Sequence, residues 1–361
     1  MIPTALSEEP TATYELPLAR EYVRHWGLKE AIRELLQNAI DSDSPFEHAF
    51  EGDTLTITSR LASLEPSTLV LGTTSKAEDD GKIGSFGEGY KIALLVLARL
   101  NYPVHVLNNG RLWTPTFRHS ATFGAEVLCI EERPFICTGL SFVISGLTAE
   151  DIDAIRGSCL LMQEPVTDAI ETLQGNILPS HPGKLYVSGL FVCDTQLAYG
   201  YDMRPKYLRL ERDRQTVSTF DLQWLTKDMW FATQQFDRVA KMITADVPDV
   251  KYAEHGCPEL LKEACYQAFI KQHPDGVIAK DPEDLKQLVA RGMTKTVYIN
   301  RTLHACVSGA KSYQPTLAKA KEPTPAEALT KWFEANRKYM SRMPIVAFKQ
   351  LLSASGAWRA R

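Results

Sequence analysis

Apolar residues recur at helical spacing in two stretches of the chain. Within residues 28–42 an apolar stripe is formed by Ile32, Leu35, Leu36, Ala39 and Ile40. A second apolar stretch covers residues 90–100 and follows a polar segment, residues 72–89, that contains five glycines. Positions three and four apart share one face of a helix, so both stretches predict helices with a buried face.

Period-two alternation dominates the chain between and after these helices. It predicts strands at residues 53–59, 104–107, 111–117, 125–130 and 140–144, with turn signals such as Asn109-Gly110 between them. Helices on one side and a run of antiparallel strands on the other predict the α+β class, arranged as a two-layer α/β sandwich.

The rest of the chain predicts a second region of mixed structure. The patterns indicate a helix at 149–172, strands at 185–192 and 207–210, a long helix at 219–243, and a helix–helix–strand order within 258–307. Residues 311–325 are rich in Pro, Lys and Ala, which favours a linker. We therefore predict a first domain at 1–175, a second α/β domain at 180–310, a linker at 311–325 and a helical, basic tail at 326–361.

Composition narrows the class of protein. The chain has 361 residues, 44% of them apolar, and a net charge of −4, so no overall attraction to nucleic acid or to an anionic membrane is expected, although a local basic patch is not excluded. Its seven cysteines show no CxxC pair and no Cys/His metal spacing, which predicts reduced thiols. The N-terminus lacks the apolar core of a signal peptide, and the apolar run at 92–98 is too short to span a bilayer. We expect a cytoplasmic protein without a membrane span.

The sequence ELLQNAID at residues 34–41 is the first motif with candidate chemistry. Glu34, Asn38 and Asp41 are four and three residues apart, so one face of the predicted helix presents all three. Taken alone, the three polar residues also fit an ordinary solvated helix surface.

The second motif is KIGSFGEGYK at residues 82–91. Gly84, Gly87 and Gly89 come directly before a predicted helix, where unpaired N–H groups and the helix dipole favour a phosphate. A flexible surface turn is the alternative. The motif is not a Walker A loop, because no GK[ST] follows, and no apolar strand leads into it as in a dinucleotide-binding turn.

In this order, the two motifs resemble the N box and the second glycine box of the GHKL ATPases. This superfamily has the Bergerat ATP-binding fold and includes the heat-shock chaperone, the ATP-binding subunit of DNA gyrase, MutL, the MORC proteins and the phage rapid-lysis A-type proteins. The resemblance covers roughly residues 20–150. It implies ATP and Mg²⁺ as cofactors, and a second, transducer-like domain that follows the nucleotide-binding domain.

The resemblance also implies roles for individual residues. Glu34 matches the general base that activates the attacking water, Asn38 matches the Mg²⁺ ligand, and Asp41 matches an aspartate that supports the nucleotide pocket. Arg214 matches a transducer cation that reaches the γ-phosphate, with Arg212 as the alternative. Lys91 either reaches a phosphate or is exposed. The remaining nucleotide-binding candidates are Thr73, Thr74, Ser75 and Lys76 in the lid, and Gly84, Ser85, Phe86, Gly87, Glu88, Gly89 and Tyr90 in the glycine box.

One element of the family pattern is missing. The first glycine box, DxGxG, carries the aspartate that contacts the adenine amino group, but residues 59–72 here contain neither an Asp nor a glycine pair. Contacts to the base are therefore open: they could be mediated by water, use Glu65, or be relaxed towards other nucleotides.

The resemblance predicts slow ATP hydrolysis that drives a conformational change or homodimerisation. A nucleotide-binding switch without turnover is one alternative, and an ATP-gated nucleic-acid clamp is another. Glu34 disfavours a histidine kinase, because such kinases lack a water-activating base at this position. From Lys331 onwards the tail has seven Lys/Arg and one Glu, interleaved with Trp332, Phe333, Tyr339 and Trp358. This pattern fits either a contact with a protein or nucleic-acid client, or packing of an amphipathic helix on its own protein.

Overall fold

The computed structural model describes residues 9–41, 45–70, 89–208, 217–314 and 325–354, without the side chains of 325–327 and 351–354. Within these ranges the strands are β1 (Ala12–Ala19), β2 (Phe46–Glu51), β3 (Thr54–Ser59), β4 (Val104–Asn108), β5 (Arg111–Ser120), β6 (Ala125–Pro134), β7 (Leu140–Ile144), β8 (Ile170–Thr172), β9 (Gly175–Leu178), β10 (Lys184–Val187), β11 (Leu190–Asp194), β12 (Gly200–Met203), β13 (Val277–Ala279) and β14 (Thr296–Tyr298). The helices are α1 (Leu28–Ile40), α2 (Gly89–Arg99), α3 (Ala149–Gly157), α4 (Thr219–Ala232), α5 (Phe236–Thr244), α6 (Glu259–Gln272), α7 (Pro282–Ala290), α8 (Arg301–Ser308), α9 (Pro325–Asn336) and α10 (Arg342–Ala354).

The first seven strands form one antiparallel sheet in the order β1-β6-β5-β4-β7-β3-β2. Helices α1 and α2 pack on each other; α1 contacts β3, and α2 contacts β4 and β5. Buried residues alternate with partly exposed ones along β3 and β4, as expected for a sheet with one face on the core. The described part of the chain is thus a mixed α+β structure, with two helices on one face of an antiparallel sheet.

The apolar stripe of α1 explains why this helix is buried. Ile32, Leu35 and Leu36 have no exposed surface and lie in one core cluster with residues of α2 and the sheet. The helix begins after Gly27, whose N–H donates to the Glu30 carboxylate at 2.8 Å. Each Å² of buried apolar surface stabilises the fold by roughly 25 cal/mol. Burial of the stripe therefore favours one rotation of α1 about its axis, and that rotation sets the direction of the polar residues beside the stripe.

A second sheet has the strand order β11-β10-β12-β9-β8, in which β10 and β12 run parallel and the other pairs are antiparallel.

A buried polar centre around Asp249 lies next to strand β12 of this sheet. The Asp249 carboxylate accepts hydrogen bonds from the backbone N–H of Ala198 at 2.7 Å, from that of Tyr199 at 3.2 Å and from the Tyr201 hydroxyl at 2.5 Å. Trp230 Nε1 donates to the same hydroxyl at 2.9 Å. This centre ties β12 to the segment that follows α5.

The chain divides into two compact units. One consists of Met1–Gln234 with Val247–Lys251, and the other of Gln235–Asp246 with Tyr252–Arg361. The second unit contains α5 to α10 and the parallel pair β13–β14. The predicted boundary at 175–180 falls inside the first unit, so the observed division does not coincide with it, and the predicted domain roles stay predictions.

Several predicted elements differ from the structure. The helix predicted at 149–172 ends at Gly157, where the Ser158 hydroxyl donates to the Ile155 carbonyl, and its last residues form β8. The long helix at 219–243 is two helices, α4 and α5, because Gln234 takes a positive φ of 57° that no α-helix continues through. The strand at 185–192 is the hairpin β10–β11.

That hairpin turns at Ser188 and Gly189, both with positive φ, as a tight turn between right-twisted strands requires. Of the strand predicted at 207–210, Tyr207 lies in a turn, and residues from 209 lie outside the described ranges. Strands β1 and β2 were not predicted. Of the described helices, not one combines the length and the apolar character that crossing a membrane requires.

Candidate functional site

The polar face of α1 is buried rather than solvated. Glu34 is 1% exposed and Asp41, the residue that ends the helix, is 5% exposed; Asn38 is partly buried. An ordinary solvated helix surface is therefore wrong for this motif. Charged residues are rarely this buried unless they have specific partners or a specific task.

The residues of α1 and the N-terminus of α2 meet at Gly89. A Cβ atom on Gly89 would overlap Oε2 of Glu34 and would stand 3.3 Å from Nδ2 of Asn38. A side chain at residue 89 would force the Glu34 carboxylate to move, so the glycine permits the close approach of these groups. Glu34, Asn38 and the first residue of α2 therefore lie together, as the two motifs predict.

Asn38 has a fixed orientation at this site. Its Nδ2 donates to the Glu34 backbone carbonyl, one turn earlier in α1, at 2.7 Å. Because the amide nitrogen is engaged within the helix, Oδ1 is the atom of this side chain that suits a cation. A neutral oxygen of this kind is a hard ligand of the type that Mg²⁺ prefers.

Two further buried polar residues of α1 were not predicted. Arg33 and Gln37 are both buried, and Arg33 NH2 lies 3.9 Å from Oε1 of Glu34. Their sequence positions could have suggested a role at the site, because Arg33 comes one residue before Glu34 and Gln37 three residues after it. The other buried positions of this helix are apolar. Arg33 thus places a positive charge near the Glu34 carboxylate.

Tyr90 and Lys91 connect α2 to the segment before residue 71. The Tyr90 hydroxyl lies 2.9 Å from Oγ1 of Thr68 and donates to the Thr68 carbonyl at 3.0 Å. Burial raises the pKa of Tyr90 to about 12, against a smaller lowering by the Thr68 hydrogen bond. Lys91 is fully buried, so the exposed alternative for this residue is wrong; its Nζ donates to the Val70 carbonyl at 2.6 Å.

These contacts bring the two ends of the segment 71–88 together. Val70 precedes it and Gly89 follows it, and Lys91 reaches from two residues beyond Gly89 to the carbonyl of Val70. Gly89, which follows this segment in the sequence, lies beside Glu34 and Asn38. The predicted lid residues Thr73–Lys76 and the glycine-box residues Gly84–Glu88 belong to this segment and lie outside the described residues, as does Arg214.

Glu65, the carboxylate considered for adenine, is engaged elsewhere. One of its oxygens lies 3.5 Å from NH2 of Arg111, and its side chain is largely exposed. The adjoining residue Leu64 is held by Asn108, which donates to the Leu64 carbonyl at 2.7 Å and accepts from its N–H at 2.9 Å. These contacts fix the backbone after β3, where the family's first glycine box is expected, without supplying the missing aspartate.

No cluster of acidic, histidine or cysteine side chains forms a metal site by itself in the described ranges, where three or more such groups are nowhere close enough together to hold an ion. A cation that Asn38 helps to hold can take further oxygen ligands from a bound molecule. Phosphate oxygens are such ligands, and Mg²⁺ commonly combines few protein ligands with substrate phosphates and water.

Comparisons with known proteins give distant likenesses. No family model matches the chain. A protein of Mycoplasma pneumoniae (strain ATCC 29342 / M129 / Subtype 1), described as an uncharacterized protein, is 24% identical over 213 residues, which are 54% of this chain and 86% of that protein. Among solved structures, the B-subunit of the DNA gyrase from Myxococcus xanthus matches 62% of this chain and 91% of its own, with 9% identity and a TM-score of 0.31. At these values neither likeness assigns the chain to a family.

Proposed function

We propose that the chain binds ATP with Mg²⁺ at the site between α1 and α2, and that it hydrolyses the nucleotide. The observation that carries this proposal is the close approach of Gly89 to Glu34 and Asn38. It places a buried carboxylate and an amide at a helix N-terminus, where a phosphate is favoured by the backbone N–H groups and by the helix dipole.

The groups present fit a magnesium nucleotide. The Glu34 carboxylate occupies the position that a side chain at residue 89 would take, so the small size of Gly89 keeps this carboxylate close to the backbone of α2. The amide nitrogen of Asn38 is hydrogen-bonded within α1, which leaves the amide oxygen to serve as a cation ligand. When bound, Mg²⁺ neutralises charge on the phosphates.

Glu34 would act as the general base. Its carboxylate is almost completely buried, so bulk water does not compete for it, and it lies at the level of the first residue of α2. In hydrolysis it would orient a water molecule and accept the proton that this water loses as its oxygen attacks the γ-phosphorus. The bond between that phosphorus and the bridging oxygen breaks, and ADP leaves with the bridging oxygen.

Membership of the GHKL superfamily with the Bergerat layout is part of the same proposal. It is supported by the order of the two motifs and by two helices packed on one face of an antiparallel sheet. The hydrogen bond from Lys91 to the Val70 carbonyl joins the residues on either side of the sequence 71–88, which the resemblance assigns in part to a nucleotide lid. A role for Arg214 at the γ-phosphate, and nucleotide-driven dimerisation, remain predictions from the resemblance.

The test is a comparison of binding and turnover in the full chain. We expect the wild type to bind ATP in the presence of Mg²⁺, measured by calorimetry, and to release phosphate slowly. Glu34→Ala and Glu34→Gln should keep ATP binding and lose turnover by on the order of 10²-fold or more, as for other positioned bases. Asn38→Ala should weaken the binding of Mg²⁺–ATP itself.

Glu171→Gln is the matched control, because it makes the same chemical change at an exposed position of β8. It should leave both quantities unchanged. Wild-type binding without phosphate release would favour a nucleotide-binding switch over an ATPase. Absence of ATP binding by the wild type would reject the site, and equal turnover in wild type and Glu34→Gln would remove Glu34 from the reaction.

A further inference from the structure

The two C-terminal helices pack against each other through phenylalanine rings. Phe333 of α9 and Phe348 of α10 are stacked, with ring centroids 4.9 Å apart and an interplanar angle of 14°. Phe333 is only 1% exposed. The most apolar rings of this helix pair therefore face inward, and they account for its packing.

Two other aromatic residues are exposed, Trp332 in α9 and Tyr339 in the short turn between α9 and α10, and a lysine precedes each of them. Trp332 is 50% exposed and follows Lys331; Tyr339 is 78% exposed and follows Lys338. Nζ of Lys338 lies 4.8 Å from the centroid of the Tyr339 ring. Cations and large exposed rings therefore alternate here, and of the two rings only that of Trp332 also packs on a described ring of the pair, that of Phe348.

The charge of the pair is opposite to that of the whole chain. Between residues 325 and 354 there are five basic residues and two glutamates, in a protein whose net charge is −4. The basic residues are Lys331, Arg337, Lys338, Arg342 and Lys349. A local excess of positive charge attracts a polyanion even when the rest of the molecule repels it.

We propose that the helix pair α9–α10 binds single-stranded nucleic acid. Lys331, Lys338 and Arg342 would contact backbone phosphates, while unpaired bases stack on Trp332 and Tyr339. Stacking needs rings with accessible faces next to cations, and such sites bind with little dependence on sequence. The proposal does not depend on nucleotide binding between α1 and α2.

An anionic membrane is the competing partner, and the arrangement of side chains favours it less. A helix that lies in a membrane interface presents a broad apolar stripe to the lipid. Here Phe333 and Phe348 face each other. Leu329, Met343 and Val346 are exposed as well, but along the sequence these apolar residues and the rings of Trp332 and Tyr339 are interleaved with Lys331, Lys338 and Arg342 instead of separated from them.

The experiment measures binding of the full chain to a fluorescein-labelled oligothymidylate by anisotropy, over a series of salt concentrations. We expect binding that weakens as salt rises. Tyr339→Ala should weaken it about tenfold through lost stacking, and Lys338→Glu should weaken it and reduce its salt dependence. Tyr339 is the ring to test first, since Trp332 also contacts Phe348, at 5.8 Å between centroids.

Two variants in the same unit are the matched controls. Tyr298→Ala removes a tyrosine that is 53% exposed on β14, and Lys286→Glu makes the same charge change at an exposed position of α7. Both should bind like the wild type. The proposal is overturned if Tyr339→Ala and Tyr298→Ala bind equally, or if the wild type does not bind the oligonucleotide. Binding to phosphatidylglycerol vesicles without binding to the oligonucleotide would assign the surface to a membrane instead.

Discussion

Glu34 and Asp249 are both buried carboxylates of the same compact unit, but their surroundings differ. Asp249 is enclosed by donors of its own fold: two backbone N–H groups and the Tyr201 hydroxyl, which is itself held by Trp230. Glu34 has Arg33 3.9 Å from one carboxylate oxygen, and its other oxygen lies against the first residue of α2, where a side chain would displace it. Asp249 faces a hydrogen-bond network within the fold, and Glu34 faces the point where the chain leaves a glycine-rich stretch of sequence.

The comparison separates two reasons for burying an acid. Burial raises the pKa of Asp249, although the hydrogen bonds from Tyr201 and the backbone act in the opposite direction. A perturbed pKa is often taken to indicate a functional site, but structural networks perturb pKa values as well. At Asp249 the donors connect β12 to a segment 48 residues further along the chain, so its role is to hold the fold together. The geometry around the carboxylate, rather than its burial, distinguishes the two cases.

The largest expected difference between Glu34 and Asp249 is in their contribution to the free energy of unfolding. Asp249→Ala leaves the two N–H groups and the Tyr201 hydroxyl without their acceptor in a dry interior, and each such group costs about 1–3 kcal/mol. We expect a loss of about 3 kcal/mol or more in the free energy of unfolding, measured by urea denaturation. Phosphate release per folded molecule should stay at the wild-type level. If unfolding is unaffected and catalysis is lost, the two carboxylates have been assigned the wrong way round.

A second prediction compares two helical glycines whose surroundings differ. Gly89→Ala introduces a Cβ that overlaps Glu34 Oε2, whereas a Cβ on Gly157, the last residue of α3, meets no atom within 4 Å. We expect Gly89→Ala to weaken ATP binding about tenfold, or by about 1.4 kcal/mol.

Gly157→Ala should leave binding unchanged and stabilise the protein slightly, because alanine restricts the unfolded chain more than glycine does. Calorimetric titration with ATP and thermal unfolding of both variants test this pair. Equal affinities for the two variants would mean that the space at Gly89 is not part of the nucleotide site.

Of the two carboxylates, the sequence predicted the site of Glu34, because that prediction depends on local spacing. Glu34 and Asn38 share a helix face because they are four residues apart, and the helix itself follows from the stripe around Leu35. Their distance from Gly89 depends on how α1 packs on α2, which no local pattern contains. Asp249 gave no signal either: its partners at Ala198 and Tyr201 are about 50 residues away, and a lone aspartate after a proline is typical of a turn.

Strand β1, which was not predicted, and the break between α4 and α5 were missed for the same reason. Strand β1 contains Pro17, which argues against a strand in the middle of a sheet; the structure accommodates it on the edge strand, at an irregularity between Glu15 and Ala19. The break between α4 and α5 depends on Gln234, a residue type that seldom adopts positive φ. In both cases tertiary packing overrode a local preference that was sound by itself.

The smallest expected effect concerns the pH dependence of stability at Asp249. Because the pKa of this carboxyl is raised in the folded protein, the folded state binds a proton at a pH where the unfolded chain, with an ordinary pKa of about 4, does not. The folded state is therefore favoured as pH falls through the raised pKa, and the gain is complete below about pH 4. Asp249→Asn cannot titrate, so other groups cancel when the two proteins are compared.

We expect the free energy of unfolding of the wild type, relative to Asp249→Asn, to increase as pH is lowered from 7 towards 4, by about 1.4 kcal/mol for each unit by which the pKa is raised. Urea denaturation of both proteins at a series of pH values measures this difference, and any constant cost of the amide appears only as an offset. A difference that decreases on acidification would mean that the hydrogen bonds from Tyr201, Ala198 and Tyr199 outweigh the effect of burial. Asp249 would then stabilise the fold as an anion.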